Sequence, residues 1–446
     1  MHKDADNTYI IGVRKDGYRM IKTGQLKENL MRGTYDEKLL DIYVDESKLA
    51  YQKERYVKAV ETYEAIFGEG EVAVYSAPGR SEIGGNHTDH QHGEVLAASI
   101  NLDAIAIVKP LPEAIVKVVS GDYDMITISL DDIALKENER ESTTALIKGV
   151  LAGISDRGYK IGGFQAYIIS DVLIGAGLSS SAAFETIIGA IESGLYNDMA
   201  ISDVEIARIG QYAENVYFGK PCGLMDQMAC SVGNLVHIDF ADPENPIIEK
   251  VVFDMNHHGY SLCITDTKGS HADLTTDYAA VPAEMKKVAA YFGKEVLHDV
   301  TMEELLADMD AVRDYAGDRA VLRAIHFFQE NERVKQEVNA LQTGNIDEFM
   351  QTVKASGDSS YKYLQNIYSS HDTEHQNISL ALAISEMVLK NQGVCRVHGG
   401  GFAGTIQAFV KNDMVIEYQM QMNAIFGENA CKILKIRKYG GIKVLE

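Results

Sequence analysis

Tryptophan is absent from the chain, proline is scarce at seven of 446 residues, and there are five cysteines. Any aromatic packing on a bound ring therefore falls to tyrosine or phenylalanine. No low-complexity tract and no internal repeat is evident, which sets aside fibrous and solenoid architectures. Cys222, Cys230, Cys263, Cys395 and Cys431 are scattered with no Cys-x-x-Cys spacing. That argues against a disulfide framework or a zinc site and for reduced thiols in a cytoplasm. No apolar run approaches the roughly 18–20 residues of a membrane span, and the opening Met-His-Lys-Asp-Ala-Asp lacks an apolar signal core. Positive charge is also short, with 42 Lys and Arg against 65 Asp and Glu, a net charge of −23. Nucleic acid and anionic membranes are thus disfavoured as partners. A nucleotide site in such a chain must be locally electropositive, built from helix ends, amides, Arg, Lys and a bound cation.

A chain of this length buries a sizeable core and is expected to divide in two. Apolar spacing predicts helices over 36–67, 143–156, 181–197 and 203–217, strands over 72–76, 95–109 and 164–170, and a hairpin over 115–130. The pattern restarts at Tyr260 with a strand over Ser261–Asp266, then long acidic helices between 281 and 355. A helix near 377–391, strands around 394–410, a helix around 412–426 and a closing strand complete it. His257, His258 and Gly259 interrupt the strands near residue 258. The organisation read from this is an N-terminal extension over 1–45, one domain over 46–258 and a second over 259–446.

Residues 171–185, Asp-Val-Leu-Ile-Gly-Ala-Gly-Leu-Ser-Ser-Ser-Ala-Ala-Phe-Glu, carry the most information. A β-branched run gives way to two glycines, three serines and an alanine-rich helical pattern, with serine, a preferred N-cap, at the junction. Gly175 and Gly177 allow close backbone approach, and the hydroxyls of Ser179, Ser180 and Ser181 stand where a helix's first amides lack internal partners. The natural reading is a phosphate cradle, although it is neither a P-loop nor Gly-x-Gly-x-x-Gly. A well-capped helix after a glycine turn explains the segment equally well when it is taken alone.

Three other segments accompany it. Residues 76–93 read Ser-Ala-Pro-Gly-Arg-Ser-Glu-Ile-Gly-Gly-Asn-His-Thr-Asp-His-Gln-His-Gly, residues 219–227 Gly-Lys-Pro-Cys-Gly-Leu-Met-Asp-Gln, and residues 396–405 Arg-Val-His-Gly-Gly-Gly-Phe-Ala-Gly-Thr. In this order the four segments resemble the GHMP small-molecule kinases, and within them the galactokinase branch, from about Tyr75 to the C-terminus. The resemblance implies an α+β fold of two domains, mixed sheets with helices, and an active site in the inter-domain cleft. It also implies ATP-dependent phosphorylation of a sugar's anomeric hydroxyl, with galactose first and galacturonate, N-acetylgalactosamine or a non-catalytic sugar and ATP sensor as alternatives. The implied partners are a small sugar and MgATP, in a monomer or weak oligomer.

Phosphoryl transfer needs a triphosphate cradle, a bridging cation, an oriented hydroxyl and a dry site. The cradle is expected from Gly175, Ala176, Gly177, Leu178, Ser179, Ser180, Ser181 and Ala182. For Mg²⁺ the resemblance nominates Glu214, in Tyr-Ala-Glu-Asn, with the hydroxyl of Ser180 or Ser181. An exposed helix charge is the plain alternative for Glu214. Asp226 lies in the glycine-bounded apolar stretch Gly223-Leu-Met-Asp-Gln-Met-Ala, where an unpaired carboxylate would be costly. The family match makes Arg80 its partner and the two together the catalytic pair; a helix-capping aspartate held by an arginine is the alternative. The resemblance assigns the sugar to Asn86, His87, Asp89, Gly223 and Tyr278, with Asp89 gripping the C3 and C4 hydroxyls. The trio His87, His90 and His92 lacks a usual zinc spacing.

Departures from the galactokinase pattern bear on the substrate. Asn86 stands where the family carries a glutamate that contacts the C6 hydroxyl, and His90 where it carries tyrosine. A neutral Asn86 no longer repels a C6 carboxylate, for which Lys268 offers a countercharge. The glycine-rich stretch from Gly399 to Gly404 reads either as a contact to phosphates or substrate, or as a turn that lets two domains close together.

Overall fold

The computed structural model describes residues 20–172, 177–269 and 274–445. Its first sheet contains β1 (Ile21–Lys22), β2 (Glu71–Gly84), β3 (Glu94–Pro110), β4 (Ile115–Ser120), β5 (Ile126–Ser129), β6 (Phe164–Ser170), β7 (Leu235–Asp239) and β8 (Ile247–Val251). Strand order is β1-β2-β3-β6-β4-β5, and β7 pairs with the outer half of β3 and with β8. Among the described residues only the β4–β6 pairing is parallel. The second sheet is antiparallel throughout, built from β9 (Tyr260–Asp266), β10 (Gly393–His398), β11 (Thr405–Lys411) and β12 (Cys431–Leu434) in the order β10-β11-β9-β12. The chain then returns, and β13 (Ile442–Lys443) pairs with β2 of the first sheet.

Helices cover both faces of the first sheet. On one face lie α1 (Thr23–Arg32), α2 (Asp36–Tyr43) and α3 (Leu49–Phe67), whose Leu26, Leu39, Ile42, Tyr56 and Tyr63 bury against Val72, Val74, Ile105 and Ile107. Much of the stretch set apart as an N-terminal extension is therefore part of this core. The helical pattern over 36–67 is broken at Val44, which takes φ +55, and the Asp45 side chain then accepts from the Ser47 amide. The other face carries α4 (Thr143–Asp156), α5 (Ser180–Tyr196), α6 (Asp203–Tyr212) and α7 (Met225–Val232). Ile147, Ile154, Ile187, Ile191 and Ile209 from these helices pack on Tyr75, Ala106, Val108 and Phe164.

The second half adds α8 (Thr275–Tyr291), α9 (Met302–Ala307), α10 (Met309–Ala316), α11 (Asp318–Thr343), α12 (Ile346–Ser359), α13 (Asn377–Leu389) and α14 (Val415–Phe426). α13 and α14 cover one face of its sheet through Ile378, Leu389, Tyr418 and Met422. A continuous apolar cluster joins the halves: Val334, Val338 and Leu341 of α11 and Phe349 and Val353 of α12 touch Leu262, Ile264 and Phe409 on one side and Ile83, Leu96 and Leu235 on the other. Burial in the seam holds β2 against the second sheet where the sugar-loop residues begin. Among the described residues no helix is long and apolar enough to cross a membrane.

Candidate active site

β2 reaches the site through two register shifts against β3, between Pro78 and Arg80 and between Glu82 and Gly84. Such irregularities re-aim side chains out of the regular alternation, and here they bracket Arg80. Gly79 leaves no room for a side chain, since a Cβ would stand 2.7 Å from the Leu178 carbonyl oxygen. Arg80 donates from Nε to Asp226 Oδ1 (2.7 Å) and from Nη2 to Asp226 Oδ2 (2.8 Å), a two-point grip, while Nη1 donates to the Gly177 carbonyl. Asp226 occupies the first turn of α7, where the helix dipole favours an anion. Burial alone would raise its carboxyl, but the Arg80 charge, the Arg80 hydrogen bonds and the Ser179 hydroxyl hold it below the usual aspartate range. With 34% of its side chain open, this anion is still reachable.

Ser179 does not cap α5 with its side chain. It adopts φ +58 and ψ 60, and its hydroxyl donates to Asp226 Oδ2 instead. The left-handed turn leaves the first amides of α5 without a side-chain acceptor, so they keep their capacity for an anion. The side chains of Leu178 and Ala182 belong to the core, so only their backbones are available to a nucleotide. Gly175 and Ala176 lie outside the described residues.

Glu214 falls in a wide helical turn, Ala213–Phe218, that continues α6. It is buried, not an exposed helix charge. The Ser181 hydroxyl donates to Glu214 Oε1 at 3.4 Å, so Ser181 is the serine brought to this carboxylate. Gln227 Nε2 donates to Glu214 Oε2 (2.9 Å) and to Glu185 Oε2 (3.1 Å). Sequence reasoning missed Glu185, whose signal was its position four residues after Ser181, on the same helix face. Burial, reinforced by the nearby Glu214 charge, pushes the Glu185 carboxyl well above the usual range.

Three residues before Asp226, Gly223 faces the Asp89 carboxylate, and an added Cβ there would lie 2.8 Å from Asp89 Oδ2. His87 takes φ +60, donates from Nε2 to the Gly400 carbonyl (3.0 Å), and accepts at Nδ1 from His90 Nε2 (3.3 Å). Burial lowers both rings, His90 to about 4, so the pair is neutral near pH 7. Among the described residues no group of three or more His, Cys, Asp or Glu is arranged to hold a metal ion.

Asn86 requires a correction. It is fully buried, and its Nδ2 donates to Glu82 Oε1 (3.0 Å) and the Gly399 carbonyl (2.7 Å), while Oδ1 accepts from Asn366 (2.9 Å) and Ser360 (3.2 Å). A carboxamide so committed has nothing left for a sugar hydroxyl. Lys268 pairs with Asp266 at 2.7 Å, so it is not a free countercharge.

The triple-glycine turn after β10 explains how the loop is held. The carbonyls of Gly399, Gly400 and Gly401 accept from Asn86, His87 and Tyr278 respectively, the last at 2.6 Å. Gly399 and Gly401 take positive φ, and a Cβ on Gly400 would lie 2.7 Å from the Tyr278 ring. The turn is thus a scaffold for the expected sugar-contacting face, with Tyr278 steadied edge-on by Phe402.

An anionic aspartate gripped by arginine, a serine-bearing helix N-terminus and a buried carboxylate–hydroxyl pair define a small-molecule kinase of the GHMP class. Residues 145–234 match the GHMP kinases N-terminal domain, and residues 61–110 match the galactokinase galactose-binding signature. The galactokinase of Streptomyces coelicolor is 30% identical over 353 residues, covering 79% of this chain and 88% of that protein. That of Clostridium tetani is 29% identical, covering 78% and 86%. The structure of Lactococcus lactis galactokinase complexed with galactose superposes with a TM-score of 0.71 at 25% identity, covering 86% of this chain and 98% of that one. Methanococcus jannaschii mevalonate kinase, at 16% identity and a TM-score of 0.58, shares the fold. The chain belongs to the galactokinase family. It is a sugar kinase, and its family implies ATP as the phosphoryl donor.

Proposed function

We propose that the protein phosphorylates the anomeric hydroxyl of D-galactose, giving galactose 1-phosphate and ADP. The observation that supports this reading is the Arg80-bound Asp226, which accepts from Ser179 of the phosphate loop and follows by three residues the Gly223 that faces Asp89. As the sugar oxygen bonds to the γ-phosphorus, the bond from that phosphorus to the β–γ bridging oxygen breaks and ADP departs. The hydroxyl proton passes to Asp226. An aspartate held below its usual range is a weak base, which suits a loose transition state that asks for little early deprotonation. Asp226 orients the hydroxyl first and takes the proton late, while Arg80 keeps the carboxylate ionised and places positive charge beside the transferring group.

The backbones of Gly177, Leu178, Ser179, Ser180 and Ala182 receive the phosphates, with Gly175 and Ala176 assigned to the same loop from sequence. Glu214 and Ser181 fit a magnesium ion, since a buried carboxylate and a hydroxyl brought together offer the hard oxygen donors it prefers. The ion bound with ATP supplies charge neutralisation across the phosphate oxygens. Asp89 accepts sugar hydroxyls, Gly223 lets the ring lie against backbone, and His87 and Tyr278 form the remaining wall. The domain division near residue 258 belongs to this proposal, with substrate and nucleotide between the halves. So does a cytoplasmic monomer or weak oligomer without nucleic-acid or membrane partners, supported by the free cysteines and the charge of −23.

The test is ADP release from MgATP across galactose, N-acetylgalactosamine, galacturonate, glucose and arabinose. Galactose is expected to give the highest kcat/KM; a different winner transfers the proposal to that sugar, and no turnover with any of them removes it. Gly223→Val puts a branched side chain onto the Asp89 carboxylate. It is expected to raise the KM for galactose by about 10–100-fold with little change in the KM for ATP, read by steady-state kinetics. Glu214→Gln is expected to raise the half-saturating Mg²⁺ concentration at least about tenfold, measured by titrating the metal at fixed ATP. An unchanged metal dependence would take Glu214 out of the site.

A further inference from the structure

A cavity of about 580 Å³ opens at the seam of the two halves, on a wall that shares no residue with the phosphate loop or the sugar face. It is formed by α2, Asn234 just before β7, the end of β8 and the segment following it, the start of β9, and the end of β12 with the segment that leaves it. A second hollow of about 410 Å³ adjoins it and shares Leu40, Val44, Asn256 and Lys435 with it. The volume lies in the range of small-molecule sites. Phe253 and Leu262 give the wall its apolar body, and Val252 stands 77% exposed at its edge.

Three lysines share the wall, and Lys438 among them is paired with Asp41. Lys250 Nζ donates to the Val232 carbonyl (2.9 Å), and Lys435 Nζ to Asn256 Oδ1 (2.6 Å) and Ser261 Oγ (2.8 Å). Among the described residues neither has a carboxylate within 4.0 Å. Asp41 pairs with Lys438 (3.0 Å) and Asp254 accepts from the His257 amide (3.0 Å), while the more distant charges of Asp45 and Asp254 favour the cationic form of Lys435, and that of Asp203 the cationic form of Lys250. Burial holds Lys250 and Lys435 below the ordinary lysine range. Partly dewatered cations whose hydrogen-bond partners are neutral gain from an anion brought into direct contact, which replaces lost water. The cavity wall carries Lys250, Lys435 and Lys438 against Asp41 and Asp254, in a chain of net charge −23.

We propose that the seam cavity is a second ligand site, taking a small organic anion whose apolar body rests on Val252, Phe253 and Leu262 and whose acidic group meets Lys250 and Lys435. The probe is 8-anilinonaphthalene-1-sulfonate, an aromatic body with one anionic group, with its neutral relative N-phenyl-1-naphthylamine as the control. One saturable sulfonate site per folded chain is expected, retained in the presence of saturating MgATP and galactose. Lys250→Met is expected to weaken that site by about tenfold while sugar turnover and binding of the neutral probe stay unchanged. Lys435→Met is the second variant, and intact turnover confirms that either variant is folded. Affinity for the sulfonate unmoved by Lys250→Met overturns the proposal. So does displacement of the probe by MgATP with equal strength in wild type and Lys250→Met, which would place it in the active-site cleft. Binding that falls as protein concentration rises would show a second copy covering the mouth, and also overturns it.

Discussion

Asp226→Asn is expected to lower kcat for sugar phosphorylation by about 10²–10⁴-fold, the scale of a lost proton acceptor. Galactose binding, followed by calorimetry, is expected to stay close to wild type. Asparagine keeps the size of the side chain and one acceptor for Arg80, so the positions of α7 and Gly223 persist. What disappears is the anion: the sugar hydroxyl loses its orienting charge and its proton loses its destination. The Ser179 hydroxyl, which donates to Asp226 Oδ2, can donate to the amide oxygen instead, so the loop keeps its left-handed turn. Turnover within a few-fold of wild type would show that the proton leaves by another route and would remove Asp226 from the mechanism.

The second large effect falls far from the chemistry. Asp103 is wholly buried and accepts from Arg55 (2.6 Å), Arg437 (2.9 Å), Tyr43 (2.8 Å) and the Ser76 hydroxyl. Asp103→Asn leaves two buried guanidinium groups facing a neutral amide. It is expected to lower the unfolding free energy at pH 7 by about 3–5 kcal/mol, read from urea denaturation. The pH dependence follows in sign. Burial would raise the Asp103 carboxyl, but the charges of Arg55 and Arg437 outweigh it and hold the folded value below the ordinary one. A depressed carboxyl contributes fully above its unfolded value and loses the contribution as pH falls through the folded one. The gap between wild type and Asp103→Asn is therefore expected to be constant near neutrality and to narrow below about pH 4. A gap that stays constant into acid would mean that the charge at Asp103 does not stabilise the fold.

These two aspartates differ in how far they could be read from the chain. Asp226 sits in a short motif whose glycines and apolar neighbours already make a lone carboxylate conspicuous. Asp103 lies in an apolar strand run and offers no local signal. Its partners Arg55 and Arg437 are 48 positions before it and 334 after it, and only the packing of α3 and of the returning C-terminal segment brings them together.

By itself the sequence determined the alternation that makes β4 and β5, the strands β6 and β9, the helices over 143–156 and 203–217, the second of which widens from Ala213, and the segments that carry Arg80, Ser181, Glu214 and Asp226. These follow from interactions within a few residues: periodicity, glycine permissiveness and the needs of a helix start. Tertiary structure decided where the side chains of those segments point. Asn86, read from the chain as a substrate ligand, turns inward because Glu82, Ser360, Asn366 and the Gly399 carbonyl together satisfy every polar group it has. Ser179 gives up its helix cap for Asp226, and Ser181, not Ser180, meets Glu214. The seam cavity exists only because segments far apart in the chain, from Leu40 to Lys438, meet around it. The physical reason is that a buried polar side chain must find its partners in three dimensions, and those partners come from stretches of chain whose distance in sequence carries no local trace.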